Sequence, residues 1–240
     1  MGTCIGNRNI YSNPMQKSCS SFEHKFRLFY RDWKSLVDAI TSYCPDDGTV
    51  PQSSMERIMT ETGLRSAYDD KNSHLKELLD EVVNKSTNQK KTFIYLVLFM
   101  CGGNELSKLD YLCATINNMN ISKDIVSGSE FKKVLECLME VSVIIIPKLG
   151  KIDLYKEEIA KIPIEAAVNR WCFDSNKETL TINEVRSWGL KCHNFTPGEA
   201  RAAMVKLIPN EPYVLMPESK IEAPIKNIPK DELRTTEVPA

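Results

Sequence analysis

Four residues in the last third of the chain have a spacing suited to binding a calcium ion. Asp174, Asn176 and Glu178 stand at every second position, and the carboxylate of Glu184 follows at the start of an apolar segment. Calcium takes about six to eight oxygen ligands, from loop positions 1, 3, 5, 7 and 9 and from a bidentate carboxylate at position 12. The pattern therefore predicts a candidate calcium site.

The same loop departs from the calcium pattern at its bend. The sharp turn needs glycine at position 6, but Thr179 follows the third ligand, so Glu184 is the eleventh residue counted from Asp174. Ile182 is the predicted apolar contact between loops. A carboxylate shifted by one residue leaves the metal short of oxygens, which favours a loop kept for its shape. We expect one calcium ion at most.

Three earlier polar segments could form similar loops, but they offer fewer ligands. Pro45 stands at position 3 of the first loop, and Lys90 lies where the second needs an acidic residue. In the third, Glu130 fits position 12, whereas Met119 and Ile121 fall at positions 1 and 3. Neutral or apolar groups replace the hydration of a divalent cation poorly, so these loops are predicted to be metal-free.

The elements that position these loops follow from apolar periodicity. Apolar residues at three- and four-residue steps predict a first helix from Phe22 that includes Phe29 and Tyr30, and the pattern then repeats through Cys192. Four helix–loop–helix units result, and they should pair because one unit cannot bury its own apolar face. The predicted parts are a flexible leader (1–21), a first pair (22–104), a second pair (105–195) and a short helix with an extended proline-rich tail (196–240).

Two stretches carry a resemblance to a known family. The segment "LFMCGGNELSKLDYLCATINNMNISKDIVSGSEFKKVLECL", Leu98 to Leu138, and "FDSNKETLTINEV", Phe173 to Val185, resemble the EF-hand superfamily, in particular its calcineurin B and neuronal calcium sensor branch. The resemblance implies an all-α fold of four EF-hand-like units in two pairs, with short β contacts between loops. It also implies an apolar groove that holds an amphipathic helix from a target protein.

Candidate groove residues are large, adaptable apolar side chains on the predicted helices. They are Met55, Met59, Phe93, Leu96, Phe99, Met100, Met139 and Ile144. For each of them the alternative interpretation is an ordinary place in the core.

The N-terminal segment "MGTCIGNRN" suggests lipidation. Gly2 directly after the initiator Met is required for myristoylation, and Cys4 could accept palmitate as the second anchor that stable membrane binding needs. Gly6 departs from the usual Ser or Thr of that motif. We therefore hold acylation of Gly2 and Cys4 as a hypothesis beside a merely flexible start.

Composition excludes several other classes of protein. The 240 residues have a formal charge of −1, so no broad basic field is available for nucleic acid. Eight cysteines without a CxxC pair or signal peptide indicate reduced thiols in the cytoplasm. The longest apolar run, Val134 to Pro147, is too short and too charged to span a membrane.

Two function classes remain. His24, His74 and His193 stand in no catalytic motif, so we predict a non-enzymatic adaptor or regulatory subunit. It would bind a partner helix, with mostly metal-free loops, in the cytoplasm or on the cytoplasmic face of a membrane. The alternative is a calcium sensor that binds the ion at the fourth loop and signals to a target enzyme or channel.

Overall fold

The architecture comes from a computed structural model of the chain. It describes residues 14–119, 124–152, 162–171, 177–192 and 195–205. The first half contains α1 (Pro14–Glu23), two 3-10 turns (His24–Phe26 and Leu28–Tyr30), α2 (Trp33–Tyr43), α3 (Gln52–Glu61), α4 (Arg65–Asp69), α5 (Leu75–Val82) and α6 (Gln89–Met100). The second half contains α7 (Glu105–Ile116), β1 (Ile125–Ser127), α8 (Gly128–Glu140), a π-helix (Val141–Ile145), α9 (Ile146–Gly150), α10 (Ile164–Trp171), β2 (Thr179–Thr181), α11 (Ile182–Cys192) and α12 (Pro197–Val205). The predicted predominantly helical class is confirmed, with one small two-stranded sheet.

Short polar side chains fix where several of these helices begin. Asp32, Asn88, Asn104 and Ser127 each precede a helix, and each accepts a hydrogen bond from the backbone N–H three residues further on. Such N-caps satisfy one of the amide donors that the first turn of a helix leaves unpaired. The sequence therefore specifies where each of these loops ends and the next helix begins.

The start of the first predicted helix is wrong. The α-helix begins only at Trp33, because Asp32 caps it and Arg27 adopts a left-handed backbone conformation with φ of 61°. The residues before it form two 3-10 turns instead of a continuous helix. As a result, Phe29 and Tyr30, predicted to lie on a buried stripe, are 53% and 63% exposed.

Each half of the chain packs its helices around an apolar core. In the first half, α2 lies against α3 and α6. In the second half, α7 lies against α11 and α8 lies against α10, so the first helix of one unit contacts the second helix of the other. The two halves join through α6, which contacts both α7 and α8, and all belong to one hydrophobic cluster.

The part of the predicted leader that the structure describes is helical. α1 begins at Pro14, packs on α9 and α12, and buries Cys19 completely. The guanidinium of Arg201, on α12, is fully buried and forms an ion pair with Glu23 at the end of α1. Its Nε donates to Gln16 Oε1 at 3.0 Å, so the first and last described helices are tied together.

The described cysteines behave as small buried hydrophobes. Cys101 and Cys113 are buried, and burial raises the pKa of both thiols to about 12, far from a reactive thiolate. Cys172 lies outside the described residues. None of the helices in the described part of the chain is both long and apolar enough to cross a membrane.

Candidate functional site

The two loops of the second half meet through an antiparallel strand pair. Val126 on β1 faces Leu180 on β2, and each side chain is only 1% exposed. The apolar contact predicted at Ile182 lies two residues earlier, at Leu180. Ile182 is the first residue of α11, and it reaches the other loop through its N–H, which donates to Asp124 O at 3.0 Å. Counted back from a carboxylate at position 12, Val126 and Leu180 both fall at position 8, four residues before Glu130 and Glu184 respectively. When both loops are numbered back from this carboxylate, the two paired residues therefore occupy the same loop position.

Gly128 permits this close approach of the two loops. Its N–H donates to the carbonyl oxygen of Glu178 at 2.9 Å. A Cβ atom at Gly128 would lie 2.2 Å from the carbonyl oxygen of Lys177, well inside van der Waals contact. Glu178, predicted as a calcium ligand, therefore contributes its backbone carbonyl to the contact between loops, and its side chain is exposed.

Both oxygens of the Glu184 carboxylate have partners within the chain. Oε1 accepts from the ammonium of Lys177, and Oε2 accepts from the N–H and the hydroxyl of Thr181 at 2.8 and 3.0 Å. Thr181 Oγ1 in turn accepts from Glu184 N–H at 3.2 Å. This reciprocal arrangement starts α11 as a capping box. The carboxylate assigned to calcium by the sequence thus binds a lysine instead.

These bonds predict an unusual titration of Glu184. The ammonium of Lys177, followed by the two bonds from Thr181, lowers the pKa of the carboxyl to about 2. Because the pKa is lowered on folding, the stabilisation is present above the unfolded value of about 4.5 and is lost as the pH falls towards about 2. We expect Lys177→Gln to raise the pKa of Glu184, as measured by carboxyl ¹³C NMR titration, and to flatten the acid dependence of stability in that range.

A neighbouring variant provides the control for this titration. Glu178→Gln removes an exposed charge from the same loop without touching the bonds of Glu184, so the pKa of Glu184 should stay near 2. A pKa that Lys177→Gln leaves unchanged would contradict the assignment of Lys177 as the main partner.

A second lysine performs the same role in the first loop. Lys90 N–H donates to Gly48 O at 2.8 Å and joins the two loops of the first half. Its ammonium lies 3.0 Å from Cys44 O, 3.4 Å from Pro45 O and 3.3 Å from Asp46 Oδ1. The Lys90 side chain is only 16% exposed. The ammonium of Lys90, a cation that belongs to the chain, therefore binds oxygens of the first loop.

The described residues do not fit a calcium cage. Within the described ranges, no group of three or more His, Cys, Asp or Glu side chains comes together to hold a metal ion. The positive charges of Lys90 and Lys177 occupy oxygens that such a cage would use, and a divalent cation beside them would be repelled. Asp174 and Asn176 lie outside the described residues, as do Gly2 and Cys4.

The candidate groove residues are mostly covered by the chain itself. Ile144, on the π-helix, is 43% exposed, whereas the other seven are at most 5% exposed. Met55 and Met59 lie on α3 and Phe93, Leu96 and Met100 on α6, so these five belong to the core of the first half rather than to an open surface.

The remaining groove residues lie on elements next to the C-terminal segment. The Phe195 ring is 5.4 Å from Phe99 and 6.1 Å from Trp188, centroid to centroid. Glu105 Oε2 accepts a hydrogen bond from Phe195 N–H at 3.2 Å. Beyond this anchor, α12 lies against α8, α10 and the π-helix, and Ser142 Oγ donates to Pro197 O at 2.8 Å. A helix of the same chain thus occupies an apolar groove of the second half.

This protein is characterised by its fold and by the contacts between its loops. No family model, no curated protein and no solved structure matches the chain. The described residues form a mostly helical protein in which two helix–strand–helix units pair through their strands, and α12 packs against α8 and α10 of these units.

Sequence reasoning missed the residues that make the contacts within and between the loops. Lys90 had been noted only as unsuitable for calcium, and Lys177 and Gly128 were not singled out. The repeated S/T-x-x-E pattern, at Ser127 to Glu130 and at Thr181 to Glu184, was the signal that could have aligned the two loops.

Proposed function

We propose that this chain is an EF-hand-like regulatory adaptor that works without bound metal and holds a partner's amphipathic helix in the groove now covered by α12. The observation that carries the proposal is the insertion of Phe195 beside Phe99 and Trp188, followed by a helix whose described side chains are largely buried. A groove that accepts a helix of its own chain has the shape and apolar lining for a helix from another. Acylation of Gly2 and Cys4 would tether the adaptor to a membrane.

The EF-hand-like part of the proposal is supported by the paired loops. The two units have equivalent position-8 contacts, a Ser or Thr N-cap before the second helix, and a crossed arrangement of helices, as the superfamily resemblance implies. The lysine partners of Glu184 and of the first loop favour an adaptor that keeps its shape at any calcium concentration.

Displacement of α12 provides the test. Phe195→Ala removes the ring that anchors the C-terminal segment, and a buried Phe→Ala change costs about 3–5 kcal/mol. Because the state with an open groove becomes more populated, capture of a partner by the full-length protein in pull-downs should rise severalfold, equally with and without chelator. Ile125→Ala removes an exposed apolar side chain away from α12 and should change nothing.

Calcium sensing is the alternative that the same experiment separates. A sensor would lose its partner on chelation, and titration calorimetry of the purified protein would then detect calcium binding in the micromolar range, abolished by Asp174→Ala. Capture that depends on chelator would refute the metal-independent adaptor. Capture lowered by Phe195→Ala would refute the groove under α12.

A further inference from the structure

Two neighbouring aromatic side chains stand out on the surface of the first half. Phe29 and Tyr30 are the most exposed large apolar side chains of the described residues. Their ring centroids lie 5.8 Å apart, and the His24 ring lies 5.2 Å from Phe29 and 5.4 Å from Tyr30. We refer to these three rings as the aromatic cluster.

The exposure of the aromatic cluster is fixed by its surroundings. Phe26 and Leu28, which precede the two exposed rings in the chain, are completely buried. Arg31 Nη2 donates to Gly63 O at 2.7 Å, and Asp32 forms a parallel β-bridge with Gly102. These contacts hold the second 3-10 turn in place, so the Phe29 and Tyr30 rings face outwards, whereas the His24 ring is half-buried beside them.

Basic side chains surround the aromatic cluster in the sequence. Lys25, Arg27 and Lys34 are all exposed, and none of them lies in an ion pair with the described carboxylates. Of the acidic residues nearby, Glu23 pairs with Arg201, whereas Asp32 caps α2 and keeps an exposed negative charge. The ammonium groups of Lys25 and Lys34 lie 5.5 Å from the Phe22 ring centroid and 5.8 Å from that of Trp33. With four basic residues and one acidic residue, the segment from Lys25 to Lys34 has a formal net charge of +3 beside its exposed rings.

We propose that this segment, Lys25 to Lys34, is a docking surface for anionic phospholipid. Tyrosine, with an apolar ring and a polar hydroxyl, settles at the boundary between headgroups and acyl chains, and phenylalanine enters that boundary with its apolar ring. Exposed Lys and Arg are attracted to anionic headgroups. The net positive charge of the segment matches a membrane that contains anionic lipid. Because acyl chains bind more stably when a further signal is present, this surface would add to the attachment that acylation of Gly2 and Cys4 provides.

This inference extends the membrane-tethering part of the proposed function, and it is tested without acyl chains. Full-length protein produced in bacteria, without myristate or palmitate, is sedimented with vesicles of phosphatidylcholine alone or with about a third phosphatidylserine. We expect binding only to the vesicles that contain phosphatidylserine. Raising the ionic strength to about 1 M, where the Debye length falls to about 3 Å, should release the protein.

Two variants separate the contributions of the rings and the charges. Phe29→Ser with Tyr30→Ser should lower the partition coefficient at least about tenfold, because two rings no longer enter the interface. Lys25→Gln, Arg27→Gln and Lys34→Gln together should lower it about a hundredfold. Ile125→Thr, an exposed apolar residue on β1, should bind like the wild type and provides the matched control.

Two results would overturn the proposal. Failure of the wild-type protein to bind the phosphatidylserine vesicles, or equal binding by the Phe29 and Tyr30 double variant, removes the docking surface. All variants change exposed side chains, so unchanged circular dichroism is expected and checks their folding. Partner capture by the Phe195 variant in a membrane-free extract does not involve these residues, so the adaptor proposal fails or succeeds separately.

Discussion

Glu23→Ala is expected to lower the free energy of unfolding by about 3–5 kcal/mol, because it leaves the charge of Arg201 buried without its partner. The guanidinium is fully buried, and apart from Glu23 it donates only neutral hydrogen bonds, to Gln16 and, at 3.4 Å, to Ser142 O. Removal of one member of a buried ion pair costs far more than the pair itself contributes. Urea unfolding followed by circular dichroism measures the change.

A paired substitution distinguishes the orphaned charge from lost packing. When Glu23 and Arg201 are both replaced by Met, no buried charge remains and the apolar side chains can fill the space, so most of the stability should return. If the double variant is as unstable as Glu23→Ala, packing at this junction of α1 and α12 is the dominant effect and the electrostatic explanation is wrong.

Leu180→Ala is expected to lower the free energy of unfolding by about 2–5 kcal/mol. Leu180 is 1% exposed and faces Val126 across the only strand pair of the described residues. Truncation leaves a cavity where the two loops of the second half meet, and the backbone bond from Gly128 to Glu178 limits how far the site can collapse. The effect should therefore lie towards the upper part of the range.

The same strand supplies a matched control. Thr179 is adjacent to Leu180 in the chain but its side chain is exposed, so Thr179→Ala should cost less than about 1 kcal/mol. Urea unfolding of both variants, followed by tryptophan fluorescence, gives the comparison. Equal losses for Leu180 and Thr179 would mean that the strand pair does not join the two units.

Local signals in the sequence were sufficient to predict most of the helices. Periodic apolar residues and polar caps such as Asn88 and Asn104 depend on neighbours within one turn, so a single sequence reveals them. These signals gave the wrong result at Phe29 and Tyr30. Apolar periodicity depends only on residue type, so it does not reveal the left-handed backbone at Arg27 that interrupts the helix.

The candidate site was harder to predict because its contacts connect distant parts of the chain. Lys90 reaches Cys44, Pro45 and Asp46, and Phe195 reaches Phe99. Nothing in the local pattern around Lys90 distinguishes a side chain that enters another loop from one that points to solvent. The position of Leu180 was missed for a different reason, since the loop was counted from its first ligand rather than from its capping box.

Because Lys90 is part of the chain, its ammonium cannot dissociate from the first loop as a bound ion can. A diffusible ion leaves when its concentration drops, whereas a tethered ammonium keeps a constant effective concentration beside Cys44 and Asp46. A drop in ion concentration would therefore not remove the Lys90 ammonium from the first loop. Covalent neutralisation of the amine, as in lysine acetylation, is the kind of event that could release it.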